Sequence, residues 1–198
     1  MGLAHSPLTI VDGMTFCFDA SNSKSVDSAI NIGGHGTLAY NNTSFVDEYG
    51  GAIEFTGDNN SQIDTNRKDI IPAGSTDYTL EAWYLNYGVT PTNRNYGVLF
   101  SNYGPGFSGS NQIWFFTAGL WHGGGYGYIG GGPGSGYGGH EYGVPRHIIS
   151  TKSGSTYKTW YQGTLYTNRT GANNSAVNNV NWRIGNDVNS VNSEAFYG

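Results

Sequence analysis

The chain is poor in cysteine and in charge, and it lacks any basic cluster or long apolar run. Cys17 is the single cysteine among 198 residues, which excludes an intrachain disulfide and any multi-cysteine metal site. Set between Phe16 and Phe18, it reads as a small buried apolar residue. Charged residues make up only 12% of the chain, with 14 Asp+Glu against 9 Lys+Arg. That mild acidity removes the attraction on which sequence-independent binding to nucleic acid or an anionic membrane rests, so neither is expected as a partner. No stretch reaches the roughly 20 apolar residues of a membrane helix. Residues 1–6 carry neither a basic region nor an apolar run, so no membrane insertion and no secretion signal are expected. Helical periodicity is missing too, together with the Ala, Glu, Lys and Leu bias of helical bundles.

What is present is glycine, 32 residues of it, and aromatic side chains at 15%. Short alternating or aromatic runs recur between clusters of Gly, Asn and Ser, the signature of an all-β sandwich. Strands are expected at 14–19, 52–56, 62–64, 78–85, 96–101, 112–118, 146–151, 157–161, 164–167 and 181–184. The polar cluster 152–156 and the pair Gln162-Gly163 read as hairpin turns, with glycine supplying the positive φ of the second. No Pro/Gly linker separates two cores, so residues 1–198 form one domain. Within 78–84 the even positions make the apolar face. Trp83 is the exception on the polar face: it either caps a second apolar layer, as strand tryptophans usually do, or lines a ligand surface.

Residues 119–143 depart from the strand-and-turn pattern, being half glycine with Trp121, Tyr126, Tyr128, Tyr137 and Tyr142 interleaved. A long loop inside a compact domain is typically functional or disordered, and ordering glycine costs about 1 to 2 kcal/mol of backbone entropy per residue. Tyr, Gly and Ser together form a recognition chemistry, since Tyr offers a large amphipathic area with few rotatable bonds. Trp121, Tyr126, Tyr128, Tyr137 and Tyr142, with His140 and Glu141 for polar contacts, are the candidate ligand-binding residues. Packing of the same segment on a neighbouring copy is the alternative.

Catalytic signatures are lacking. No strand carries two acids at alternating spacing, as paired-carboxylate chemistry requires, and neither a Gly-x-Ser-x-Gly elbow nor a phosphate-binding loop is present. No catalytic residue is assigned and no enzyme activity is expected. His122, His140 and His147 flank the glycine segment without metal-site spacing and read as ordinary surface histidines. Calcium is the one cofactor for which the chain offers suitable oxygen ligands, from Asp58 with Asn59 and Asn60 and from Asp187 with Asn186, although the same residues dominate turns for backbone reasons.

Several segments line up in order with one family. Residues 12–25 (DGMTFCFDASNSKS), 51–58 (GAIEFTGD), 78–83 (YTLEAW), 146–150 (RHIIS) followed by 157–163 (YKTWYQG), and 181–187 (NWRIGND) resemble laminin-G-like, concanavalin A-like domains of tailed-phage virion proteins. The resemblance implies a jelly-roll sandwich of two antiparallel sheets acting as a binding or structural module. It implies a tail-fibre or capsid-surface component, assembled in the host cytoplasm and displayed on the particle. Its partners would be other virion proteins, copies of itself in a homo-oligomer, or a host-surface glycan. Two departures stand out: the family continues past the position of Gly198 with a further strand, expected here either from a longer polypeptide or from another chain that fills the open edge, and the glycine-aromatic segment replaces an ordinary strand and loop.

Overall fold

A computed structural model of the chain describes residues 15–20, 38–58, 60–88, 97–102, 113–117, 119–122, 125–128, 142–176, 180–186 and 195–198. These residues form strands β1 (Ala39–Asn41), β2 (Thr43–Val46), β3 (Ala52–Phe55), β4 (Gln62–Asp64), β5 (Asp77–Leu85), β6 (Val98–Ser101), β7 (Ile113–Phe116), β8 (Gly119–His122), β9 (Gly125–Tyr128), β10 (Pro145–Ser153), β11 (Thr156–Tyr161), β12 (Thr164–Thr170) and β13 (Arg183–Ile184), with a single 3-10 turn at Glu48–Gly50. There is no α-helix among the described residues. The larger sheet runs β1-β4-β13-β6-β7-β8-β9, the smaller β12-β11-β10-β5, and β2-β3 form a separate hairpin. Neighbouring strands within each are antiparallel. The expected jelly-roll sandwich is therefore present.

Alternation builds the core. In β5, Leu80 and Tyr84 point inward, and in β10 Ile148, Ser150 and Lys152 do the same. They meet Ile113, Phe115 and Leu120 from the larger sheet. One end of the core is an aromatic pile in which Phe16 stacks on Phe100 at 5.4 Å and Phe100 on Trp182 at 4.6 Å. The other end is closed by residues 195–198. There Phe196 packs edge-on against Phe55 and Tyr84, and Gly198 exchanges backbone hydrogen bonds with Phe55.

Several expectations need correction. Residues 15–19 form no strand, although Phe16 and Phe18 do pack on the core. Residues 119–122 and 125–128 are not loop: β8 and β9 are an antiparallel pair that completes the larger sheet. Strands β1 and β2 were not anticipated. The 152–156 turn is tighter than expected, with only Gly154 and Ser155 between β10 and β11. The Gln162-Gly163 turn is as expected, with φ +49 and +78, the doubly positive signature that matches strand twist.

A polar layer lies inside the sandwich. His122 is fully buried on β8, with its Nδ1 2.9 Å from the Tyr78 hydroxyl. Lys152, also buried, donates to the carbonyls of Thr76 (3.1 Å) and Gly154 (2.7 Å). Burial, then the Lys152 charge, pushes His122 down to about 4, with the Ser175 carbonyl opposing. Burial, followed by the neighbouring Tyr157, likewise holds the Tyr78 phenol well above its usual range. His122 is thus a neutral core residue and not the surface histidine expected from sequence.

Two outcomes follow. Between pH 6.5 and 4 the unfolded chain binds a proton at His122 that the folded chain refuses, so this residue's contribution is complete above pH 6.5. It falls by about 3 kcal/mol as pH drops towards 4. Urea unfolding of His122→Gln at pH 7 and pH 4.5 is expected to show a flatter pH dependence than wild type; equal slopes would refute the assignment. Gly185 adopts φ +83, and a Cβ there would collide with the Phe55 ring. Gly185→Ala should therefore cost about 2–4 kcal/mol, read from the same denaturation midpoint.

Candidate functional site

The outer face of the smaller sheet carries the most distinctive exposed chemistry among the described residues. Register places Trp83 of β5 opposite His147 of β10, and Glu81 opposite Ile149, which in turn faces Trp160 of β11. All these positions alternate with the core-facing set. Trp83 is 72% exposed, so of its two sequence readings the packed one fails.

The indole is nevertheless held firmly. Its ring stacks on His147 with centroids 4.3 Å apart and planes 13° from parallel. That separation is close to the spacing of neighbouring strands, about 4.8 Å, so both rings stand upright like fins along their strands. One face of the indole is covered by the imidazole; the opposite face is turned away from β10, toward the margin of the sheet.

His147 is fixed from two further directions. Its Nε2 lies 2.8 Å from Glu81 Oε1; the carboxylate accepts, so this nitrogen bears the proton. Its backbone N–H donates to Gln162 Oε1 at 2.9 Å, and its carbonyl accepts from the Gln162 N–H at 2.9 Å. The Gln162 side chain thus has the reach to brace the strand beneath Trp83. Beside this face, burial raises the Cys17 thiol, with Asp19 and Glu81 adding. The lone cysteine is therefore a half-buried, protonated thiol, and Glu81 lies within its electrostatic reach.

The residues singled out from the sequence fare differently. Trp121 and Tyr126 sit opposite each other on β8 and β9, and Trp121 also faces Trp114 of β7. The register thus brings three aromatic positions of β7, β8 and β9 into one row. Tyr128 stands opposite Gly119 in the adjacent row. Tyr137, His140 and Glu141 lie outside the described residues. Tyr142 is exposed, and a Cβ on Gly88 would lie 3.9 Å from its ring. Of the three histidines considered for a metal, His122 is inside the core, His147 is bound to Glu81 and His140 is not described. Among the described residues no group of three His, Cys, Asp or Glu could hold a metal ion.

At the calcium candidate, Asp58 Oδ2 accepts from the Thr56 hydroxyl (2.9 Å) and Oδ1 from the Asn60 N–H (2.8 Å). Partial burial raises this carboxyl, but the donors Asn60, Thr56, Asn42 and Ser61 outweigh it and keep the group below its usual range. Both oxygens are engaged in a turn, and calcium would have to compete for them. Asn59 and Asp187 are outside the described residues.

Sequence reasoning noticed Trp83 but missed its partners. Strict alternation in 78–85 and 146–151 places Glu81, Trp83 and His147 on one face. Their juxtaposition depends on the β5–β10 register, which no local pattern states.

No family model matches the chain, and no curated protein matches it. Among solved structures it is similar to domain 4 of AbnA, a GH43 extracellular arabinanase from Geobacillus stearothermophilus, solved in complex with arabinotriose. The identity is 17% and the TM-score 0.57, over 83% of this chain and 78% of that one. A second similar structure is the binding domain of Paraclostridial Mosquitocidal Protein 1, at 14% identity and TM-score 0.47, over 83% of this chain and 48% of that one. At such identities the first likeness speaks for the β-sandwich fold.

Proposed function

We propose that this chain is a non-enzymatic, lectin-like module that binds a glycan on the outer face of its smaller sheet. The observation that carries the reading is Trp83: a tryptophan 72% exposed on a regular strand, backed by a stacked imidazole. An exposed indole normally costs solubility and flexibility, yet this one is oriented in advance. Its free face suits the apolar side of a sugar ring, and the adjacent Glu81 carboxylate suits sugar hydroxyls. Pre-orientation matters because binding otherwise forfeits the entropy of ordering the side chain. The arabinotriose held by the similar arabinanase domain supports a glycan as the ligand class.

A binding role rather than catalysis is supported by the state of the acids. Asp64 lies 3.6 Å from Arg183, Asp69 pairs with Arg67 at 3.0 Å, and Asp77 accepts from Ser153 at 2.7 Å. Glu54 accepts from Ser44 at 3.2 Å on the β2-β3 hairpin, while Glu81 is engaged by His147 on the smaller sheet. The place of the module follows from the resemblance of residues 12–25: a tail-fibre or capsid-surface component whose glycan lies on the host. An architectural subunit that docks a neighbouring virion protein is the alternative role.

A glycan array probed with the purified chain is expected to return a defined set of oligosaccharides. Titration of the strongest of them should show Trp83→Ala weakened at least about tenfold with an unchanged urea midpoint, since the side chain is mostly in solvent. Absence of any glycan bound by wild type, or equal binding by the variant, would sink the proposal.

A further inference from the structure

On the edge of the larger sheet, away from Trp83, a shallow cavity of about 410 Å³ is lined by Asn41, Asn42, Asn60 and Gln62. Asn41 ends β1 and stands opposite Gln62, the first residue of β4. Asn42 turns the chain into β2 with φ +45, a conformation that Asn tolerates better than other side-chain-bearing residues. Asn60 belongs to the turn before β4. Four carboxamide-bearing residues from three consecutive stretches of backbone therefore line one cleft.

Their orientation is set by neighbours. Gln62 Oε1 accepts from Arg183 Nη1 at 3.1 Å, so its amide hydrogens are left as donors. Asn42 stands beside Asp58, whose carboxyl it helps to keep below its usual range. The Asn42 carbonyl is pinned at 2.9 Å by the hydroxyl of fully buried Ser61, which in turn accepts from the Thr56 N–H at 2.9 Å. Arg183 is steadied by Asp64 at 3.6 Å. The Gln62 donors and the Asn42 backbone are thus braced at the rim, whereas groups on a mobile surface would turn freely.

The lining also selects. The described lining residues all bear carboxamides, which suits a hydrogen-bonding ligand better than a lipid or an aromatic ring. Asp58, kept ionised by its donors, opposes an anion. Hydroxyl groups both donate and accept and so match paired carboxamides, and the volume is that of a small-ligand site, roughly 300–1,000 Å³. We infer that this cleft is a second binding site, for a neutral polyhydroxylated ligand the size of a mono- or disaccharide. It lies on a different sheet from Trp83 and stands or falls independently of the function proposed there. With both sites occupied, one chain would grip a branched or dense glycan at two points and gain avidity from their linkage.

The test is NMR of the side-chain amide groups of the full chain, titrated separately with D-glucose, D-galactose, L-arabinose, N-acetyl-D-glucosamine and calcium chloride. At least one sugar is expected to produce saturable shifts at Asn41, Asn42, Asn60 and Gln62. Asn60→Ala and Gln62→Leu, both surface changes, should weaken that saturation roughly fivefold or more. Trp83→Ala should leave it unchanged, which separates this site from the first. No saturable shift with any of the sugars, or full saturation retained in both cleft variants, overturns the inference. Saturation by calcium chloride alone overturns the assigned ligand class.

Discussion

The nine-pair antiparallel register between β5 and β10, from Asp77 opposite Ser153 to Leu85 opposite Pro145, is the constraint on which the smaller sheet depends. Strand side chains alternate with a period of two, so a slip by one residue would carry every side chain to the opposite face. Such a slip would put Trp83 and Glu81 into the core and expose Leu80 and Tyr84. Burial of that inner set against Phe115 and Leu120 locks the register. The outward stack of Trp83 on His147 is therefore maintained by the hydrophobic interior rather than by its own modest contact energy.

The interior so protected is not uniformly apolar. His122, Lys152, Ser150 and Thr159 are all buried, and each is engaged: His122 with Tyr78, Lys152 with two carbonyls, Ser150 with Thr159 at 2.9 Å. Unpaired polar groups at these positions would be costly, so the layer restricts how the sheets can slide past one another. At one end of the sandwich, residues 195–198 tie several elements together. Tyr197 bridges Thr56 and accepts from the Tyr87 N–H, while Ala195 bridges Val98. The β2-β3 hairpin, the larger sheet and the end of β5 are joined through this short segment.

The glycine-rich stretch shows where local reading stops. Its Gly-Tyr-Gly-Tyr run has the period of a strand but none of the β-branched residues that usually mark one, and its composition suggested a loop. In the fold, Gly125 and Gly127 stand opposite His122 and Leu120, and β9 approaches β11 and β12 of the other sheet. A strand without side chains at those positions suits such close backbone approach. The same residue type that marks turns at Gly154 and Gly163 here serves sheet packing, and composition cannot tell the two uses apart. Strands β1 and β2 are unmarked for a different reason: Ala-Tyr-Asn and Thr-Ser-Phe-Val contain β-favouring Tyr, Thr, Phe and Val, but runs of three and four residues are too short to display a period.

By itself the sequence determined an all-β chain, since turn residues recur too often for helices and the even positions of 78–84 make an apolar face. It also determined the tight two-residue turn at Gln162-Gly163 and the oddity of a tryptophan on a polar strand face. These are local properties, set by backbone sterics and side-chain period. Only the tertiary structure decided which histidine was buried and which braced an indole, that Gln162 reached back to His147, and that Asn41, Asn42, Asn60 and Gln62 line one cleft. Each of those depends on residues distant in the chain being brought to within a few ångströms. Strand register sets such distances, and register is fixed by the packing of the whole core.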